Sequence, residues 1–161
     1  MSEMVWYHHA MPSLSLPSAN LHYRIDGSGP TLLLLHGAGG NSLVWFQQIP
    51  ELSKRFSCIA IDQPGFGRSA WRHEPVRYSA VLCELIEYLE LERIGILGHS
   101  LGGWAALQLA LRLPERISAL ILSSSWAGLQ IPDVLACLDE RETPLAEARQ
   151  AWPGTESILR S

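Results

Sequence analysis

A serine hydroxyl attacks carbon only where the backbone presents it and a base removes its proton. One serine of this chain has the first of these conditions written around it. Gly98-His99-Ser100-Leu101-Gly102-Gly103 lies between the short apolar run Ile94 to Leu97 and the helical pattern Leu101 to Leu113. A serine at such a strand-to-helix turn is held in a strained backbone with its hydroxyl at the sheet edge. Gly98 and Gly102 then leave out Cβ atoms that would collide with the neighbouring turn. The helix start behind the serine adds free N–H groups and a partial positive charge, where an oxyanion would develop. Two more polar segments follow apolar runs. His36-Gly37-Ala38-Gly39-Gly40 follows Thr31 to Leu35, and Asp62-Gln63-Pro64-Gly65-Phe66-Gly67-Arg68-Ser69 follows Phe56 to Ile61.

The elements that must position these segments alternate along the chain. Leu21, Tyr23 and Ile25 alternate with His22 and Arg24, as in a half-exposed strand, and Asp26 to Pro30 is a turn by composition. Leu32 to Leu35 is an uninterrupted apolar run, the pattern of a strand covered on both faces, and Phe56 to Ile61 and Ala119 to Ser123 read as further buried strands. Ser42 to Leu52 reads as a helix. Ser79 to Leu91 reads as an amphipathic one, with Val81, Leu82, Leu85, Ile86 and Leu89 opposite Glu84, Glu87 and Glu90. Strand and helix in alternation predict an α/β fold, a mostly parallel sheet with helices on both faces. After Trp126 no further strand is legible, although Pro132 to Leu138 and Pro144 to Ala151 suit short helices. The expected organisation is an N-terminal extension over 1–19, a core over 20–126 and a helical cap or tail over 127–161.

Composition limits the partners. The chain has 161 residues, 12 Lys and Arg against 16 Asp and Glu, and a net charge of −4. That excludes a generally basic surface for nucleic acid. Cys58, Cys83 and Cys137 are odd in number and widely spaced, which suits a reducing compartment. With no apolar run near the ~18 residues of a membrane span, and an acid early in the N-terminal segment, no membrane partner and a cytoplasmic location are expected. His8-His9 has no third ligand nearby, so no metal is expected, and no organic cofactor is expected either.

With three motifs each closing a strand, the stretch from Asn20 to Trp126 resembles the N-terminal part of an α/β-hydrolase. His36 to Gly40 is similar to that family's oxyanion loop, and Asp62 to Ser69 to its D-x-P-G-x-G-x-S segment. The resemblance implies Ser100 as nucleophile, with oxyanion donors at the backbone N–H groups of Leu101 and of Ala38, or else Gly39. It gives His36, Gly37, Gly98 and Gly102 supporting roles, and makes Asp62 and Arg68 loop-shaping groups. His99 is expected to pack beneath the loop, Trp104 to pack, and Trp45, Trp71 and Trp126 to form core or pocket wall. Family members that open haloalkanes or epoxides carry aspartate at the turn; serine implies hydrolysis of an ester, lactone, thioester, amide or C–C bond through attack on a carbonyl, or cofactor-free perhydrolysis.

The base is the missing part. In this fold the acid and the histidine follow the serine, whereas His8, His9, His22, His36, His73 and His99 all precede Ser100. Asp133, Asp139, Glu140, Glu142, Glu147 and Glu156 do follow, but none ends a recognisable strand, and Ser124-Ser125 stand where some members place the acid. Two further strand–helix units take about 60 residues. The expectation is a truncated α/β-hydrolase fold, weak or inactive alone, or else a non-catalytic remnant or binding module that keeps the pocket. Its strand 119–123 would be an exposed edge open to self-association.

Overall fold

The computed structural model describes residues 12–73 and 78–125. The chain divides between Ala127 and Gly128, and every described residue lies in the first unit. Trp126, the two possible helices from Pro132 onward, the six acids after Trp126, Cys137 and His8-His9 all lie outside the described residues.

Seven strands form one sheet: β1 (Ser13–Ser15), β2 (Ala19–Asp26), β3 (Thr31–Leu35), β4 (Ser57–Ile61), β5 (Ala70–Trp71), β6 (Ile94–His99) and β7 (Ile117–Ser123). Their order is β1-β2-β4-β3-β6-β7, with β5 also on β2. β4, β3, β6 and β7 are parallel, while β1, β2 and β5 are antiparallel additions. The sheet thus takes in Ser13–Ser15 and Ala19 from the stretch read as an extension over 1–19. Leu14 is 4% and Leu16 1% exposed, but their run is too short and too rich in serine and proline to show a period.

The helices are α1 (Ile49–Leu52), α2 (Tyr78–Tyr88) and α3 (Leu101–Arg112). The helix read across Ser42 to Leu52 is instead a 3-10 turn, Ser42–Trp45, followed by α1. Pro50 has no N–H to continue an earlier turn, and its ring would meet the carbonyl four residues back. Chain direction settles which face each helix covers. The connection from β3 to β4 runs one way across the sheet, while those from β4 to β6 and from β6 to β7 run the other way. Right-handed crossovers therefore put α1 on one face and α2 with α3 on the opposite face. Leu32, Leu34, Cys58 and Ala60 accordingly pack with Trp45 and Ile49 on the α1 face. Leu33, Leu35, Ile59 and Ile61 point to the other face and are at most 2% exposed.

Two outer strands depart from the simple reading. On β2 the alternation inverts after Tyr23: Arg24 is buried and Ile25 is 44% exposed. A bidentate pair, Arg24 Nε and Nη2 to the Asp26 carboxylate at 2.5 and 2.7 Å, satisfies the buried guanidinium. β7 has the apolar composition of a strand covered on both faces, but a truncated fold is expected to leave it an exposed edge, and it lies at one edge of the described sheet with Ile121 49% and Leu122 40% exposed.

Candidate active site

β3 and β6 are neighbours, and their connections leave on opposite faces, so a crevice opens beyond their carboxyl ends. The register aligns those ends, since Leu35 pairs with both Gly98 and Ile61. The loop after β3, the loop after β4 and the turn after β6 therefore meet at one edge of the sheet.

Ser100 closes β6 and caps α3 with φ 51° and ψ −115°, a conformation that costs a residue with a Cβ about 1–3 kcal/mol. The residue is exposed. Crowding beneath it explains why the turn is glycine-rich. A Cβ on Gly98 would lie 2.7 Å from the Gly103 Cα and closer still to the Gly102 carbonyl. One on Gly102 would lie 2.6 Å from the His36 carbonyl oxygen and nearer to that of Leu35. Only bare backbone lets β6, α3 and the end of β3 approach this closely.

The loop after β3 turns sharply, with the Gly40 N–H donating to the Gly37 carbonyl at 3.1 Å. The third residue of the turn Gly37 to Gly40, Gly39, has φ 74°, the left-handed value that favours glycine there. A Cβ on Gly37 would stand 3.3 Å from the Ser100 Cβ, so this loop borders the serine. Ala38 and Gly39 are exposed beside it. Among the described residues, the N–H groups of Ala38, Gly39 and Leu101 donate to nothing.

His36 is fully buried. Its Nδ1 donates to the Gly37 carbonyl at 2.6 Å, and its Nε2 accepts the Gln63 N–H at 2.9 Å. That network assigns a neutral ring protonated on Nδ1. Burial holds its pKa below the ordinary imidazole value, against smaller upward pulls from the Gly37 carbonyl and Asp62. With both nitrogens engaged, His36 ties the loop down and has none left to take a proton from Ser100. Gln63, which the sequence reading passed over, completes the tie by donating its side-chain Nε2 to the His36 carbonyl at 2.5 Å. Its position next to Asp62 was the available signal.

Asp62 is buried, and its carboxylate accepts the N–H of Ser42 at 2.7 Å and that of Arg68 at 2.9 Å. It shapes two loops at once. Tyr78 donates to the Pro64 carbonyl at 3.1 Å, and burial pushes its pKa up to about 12. Trp71 and Trp104 meet the Tyr78 ring edge-on, with centroids 5.4 and 6.3 Å away, and Trp45 is in the core. His99 departs from expectation. It does not pack beneath the loop but is exposed, with its Nδ1 over Gly37. The alternation of β6 explains this, because buried Gly98 lies between the sheet and α3 and its successor faces outward.

The arrangement offers a strained, exposed hydroxyl beside unpaired main-chain donors, the chemistry of carbonyl attack with a stabilised oxyanion. Residues 30–154 match the alpha/beta hydrolase fold family. The chain belongs to that family. Among its relatives is a pimeloyl-[acyl-carrier protein] methyl ester esterase of Vibrio campbellii, 38% identical over 133 residues, which cover 77% of this chain and 51% of the relative. The corresponding esterase of Aeromonas hydrophila is 40% identical over 129 residues, covering 80% of this chain and 44% of that one. A crystal structure of a hydrolase from Pseudomonas aeruginosa superposes with a TM-score of 0.71 at 28% identity, covering 90% of this chain and 67% of that one. The chain spans about half the length of these curated esterases. No described helix is long and apolar enough to cross a membrane, and no cluster of metal-ligating side chains occurs among the described residues.

Proposed function

We propose that this α/β-hydrolase chain carries the nucleophile half of a serine hydrolase that attacks a carbonyl and cleaves an ester, lactone, thioester or C–C bond. Ser100 is the nucleophile. The N–H groups of Leu101 and Ala38, with Gly39 as the alternative to Ala38, hold the developing oxyanion. The observation that carries this reading is the φ of 51° at an exposed Ser100, since backbone strain held at an exposed residue with a Cβ points to a functional position. Esterase relatives support the same class of substrate.

Residues 101–161 contain no histidine, and no described histidine bonds to the Ser100 hydroxyl. The residues present thus supply attack geometry and oxyanion donors without a visible base. In serine proteases such a remainder sustains on the order of 10³–10⁴ over water. The same fact favours a second reading, a binding module that keeps the crevice and does no chemistry. Incubation with a fluorophosphonate, followed by peptide mass spectrometry, separates the two. Slow modification on the Ser100 peptide, absent in Ser100→Ala, is expected. Equal modification of both proteins, or of neither, refutes the hydrolase reading.

A further inference from the structure

The exit of β7 reaches back to the nucleophile turn at two atoms. The Ser100 N–H donates to the Ser123 carbonyl at 2.9 Å, and the Ser125 Oγ donates to the Ser100 carbonyl at 2.7 Å. Both backbone polar groups of the strained residue are thereby held from one short segment. Ser124 lies between the two partners with φ 49°, a left-handed bend that brings the carbonyl before it and the hydroxyl after it to the same residue. Gly103 makes room for that hydroxyl, because a Cβ there would lie 2.6 Å from the Ser125 Oγ.

What this grip controls is the next amide. A peptide unit is planar and trans, and no cis bond occurs among the described residues. The Ser100 carbonyl and the Leu101 N–H therefore point in opposite directions from one rigid plane, and fixing the first aims the second. The other donors to this carbonyl, the N–H groups of Gly103 at 2.9 Å and Trp104 at 3.3 Å, belong to α3 itself. Ser125 is the donor from outside the helix, and it ties the plane to the sheet. A hydrogen bond accepted by the carbonyl also polarises the peptide, which strengthens its N–H as a donor.

We infer that Ser125 is a positioning residue that aims the Leu101 N–H at the oxygen of a carbonyl attacked by Ser100. The inference rests on the reading of Ser100 as nucleophile, and its test separates the two. The 161-residue chain is compared with Ser125→Ala and Ser125→Thr by the 15N amide spectrum and by the rate of Ser100 modification with a fluorophosphonate. In Ser125→Ala the Leu101 amide resonance shifts and modification slows about threefold to tenfold, as expected for one hydrogen bond. Ser125→Thr, which keeps the hydroxyl, restores both. An unmoved Leu101 resonance or an unchanged rate in Ser125→Ala overturns the inference. So does an equal loss in both variants with a matching fall in melting temperature, which would make Ser125 a packing residue. If modification is the same in Ser100→Ala, the nucleophile reading falls, and the Leu101 resonance still decides the role of Ser125.

Discussion

Replacing Ser100 by glycine should make the protein more stable while removing its nucleophile. At φ 51° and ψ −115° the backbone occupies a region that glycine enters freely and that costs any residue with a Cβ about 1–3 kcal/mol. The Ser100 hydroxyl has no hydrogen-bond partner among the described residues, so deleting it breaks no hydrogen bond among them. Glycine brings its own penalty, about 0.5–1 kcal/mol of extra chain entropy lost on folding. The difference leaves Ser100→Gly up to about 2.5 kcal/mol more stable than the parent, with about 1 kcal/mol at mid-range, equivalent to roughly 2–4 °C in melting temperature at this size. Ser100→Ala is the control, since it loses the same hydroxyl but retains the Cβ and should match the parent. Urea denaturation of the three proteins gives the comparison directly. A Ser100→Gly midpoint at or below that of Ser100→Ala would refute the claim that the turn stores strain for presenting the hydroxyl.

Three further outcomes test the surroundings of the site. Because burial lowers the His36 pKa below its ordinary 6.5, the unfolded chain binds this proton more readily. The stability that neutral His36 confers is complete above about pH 6.5 and is lost as pH falls toward the folded value, with a slope of up to about 1.4 kcal/mol per unit. Urea midpoints measured down to ~pH 5 should therefore decline more steeply for the parent than for His36→Gln. Gly102→Ala forces a Cβ to 2.6 Å from the His36 carbonyl oxygen and should cost about 1–3 kcal/mol or more, since backbone cannot step aside. Gly37→Ala meets the exposed His99 ring at 2.8 Å, which can swing away, and the Ser100 Cβ at 3.3 Å, which needs to give by only a few tenths of an ångström. Thermal denaturation should show a change within about 0.5 kcal/mol for that variant.

Much of the parallel core was legible because its signals are local. Continuous apolar runs at Leu32 to Leu35 and Ile94 to Leu97 mark covered strands, and the glycines around Ser100 mark a turn that bare backbone alone can make. The i, i+4 rows of α2 needed no partner to be read. Elements whose form depends on one residue's chemistry were less legible. Pro50 split an expected helix, and the carboxylate of Asp26 turned Arg24 inward and Ile25 out. On β1, Leu14 is buried by its pairing with β2, and three residues are too few to display alternation.

By itself the sequence determined the family-bearing motifs, the serine at the turn, and the lack of any histidine from residue 101 to 161. Those depend on residue type and spacing along the chain. The tertiary structure decided that His36 is closed off by Gly37 and Gln63, that His99 faces outward, and that the end of β7 grips Ser100 from 25 positions away. Such relations arise when strands distant in the chain align their ends, and hydrogen bonds between segments that meet only through the sheet leave no periodic trace in the chain that makes them.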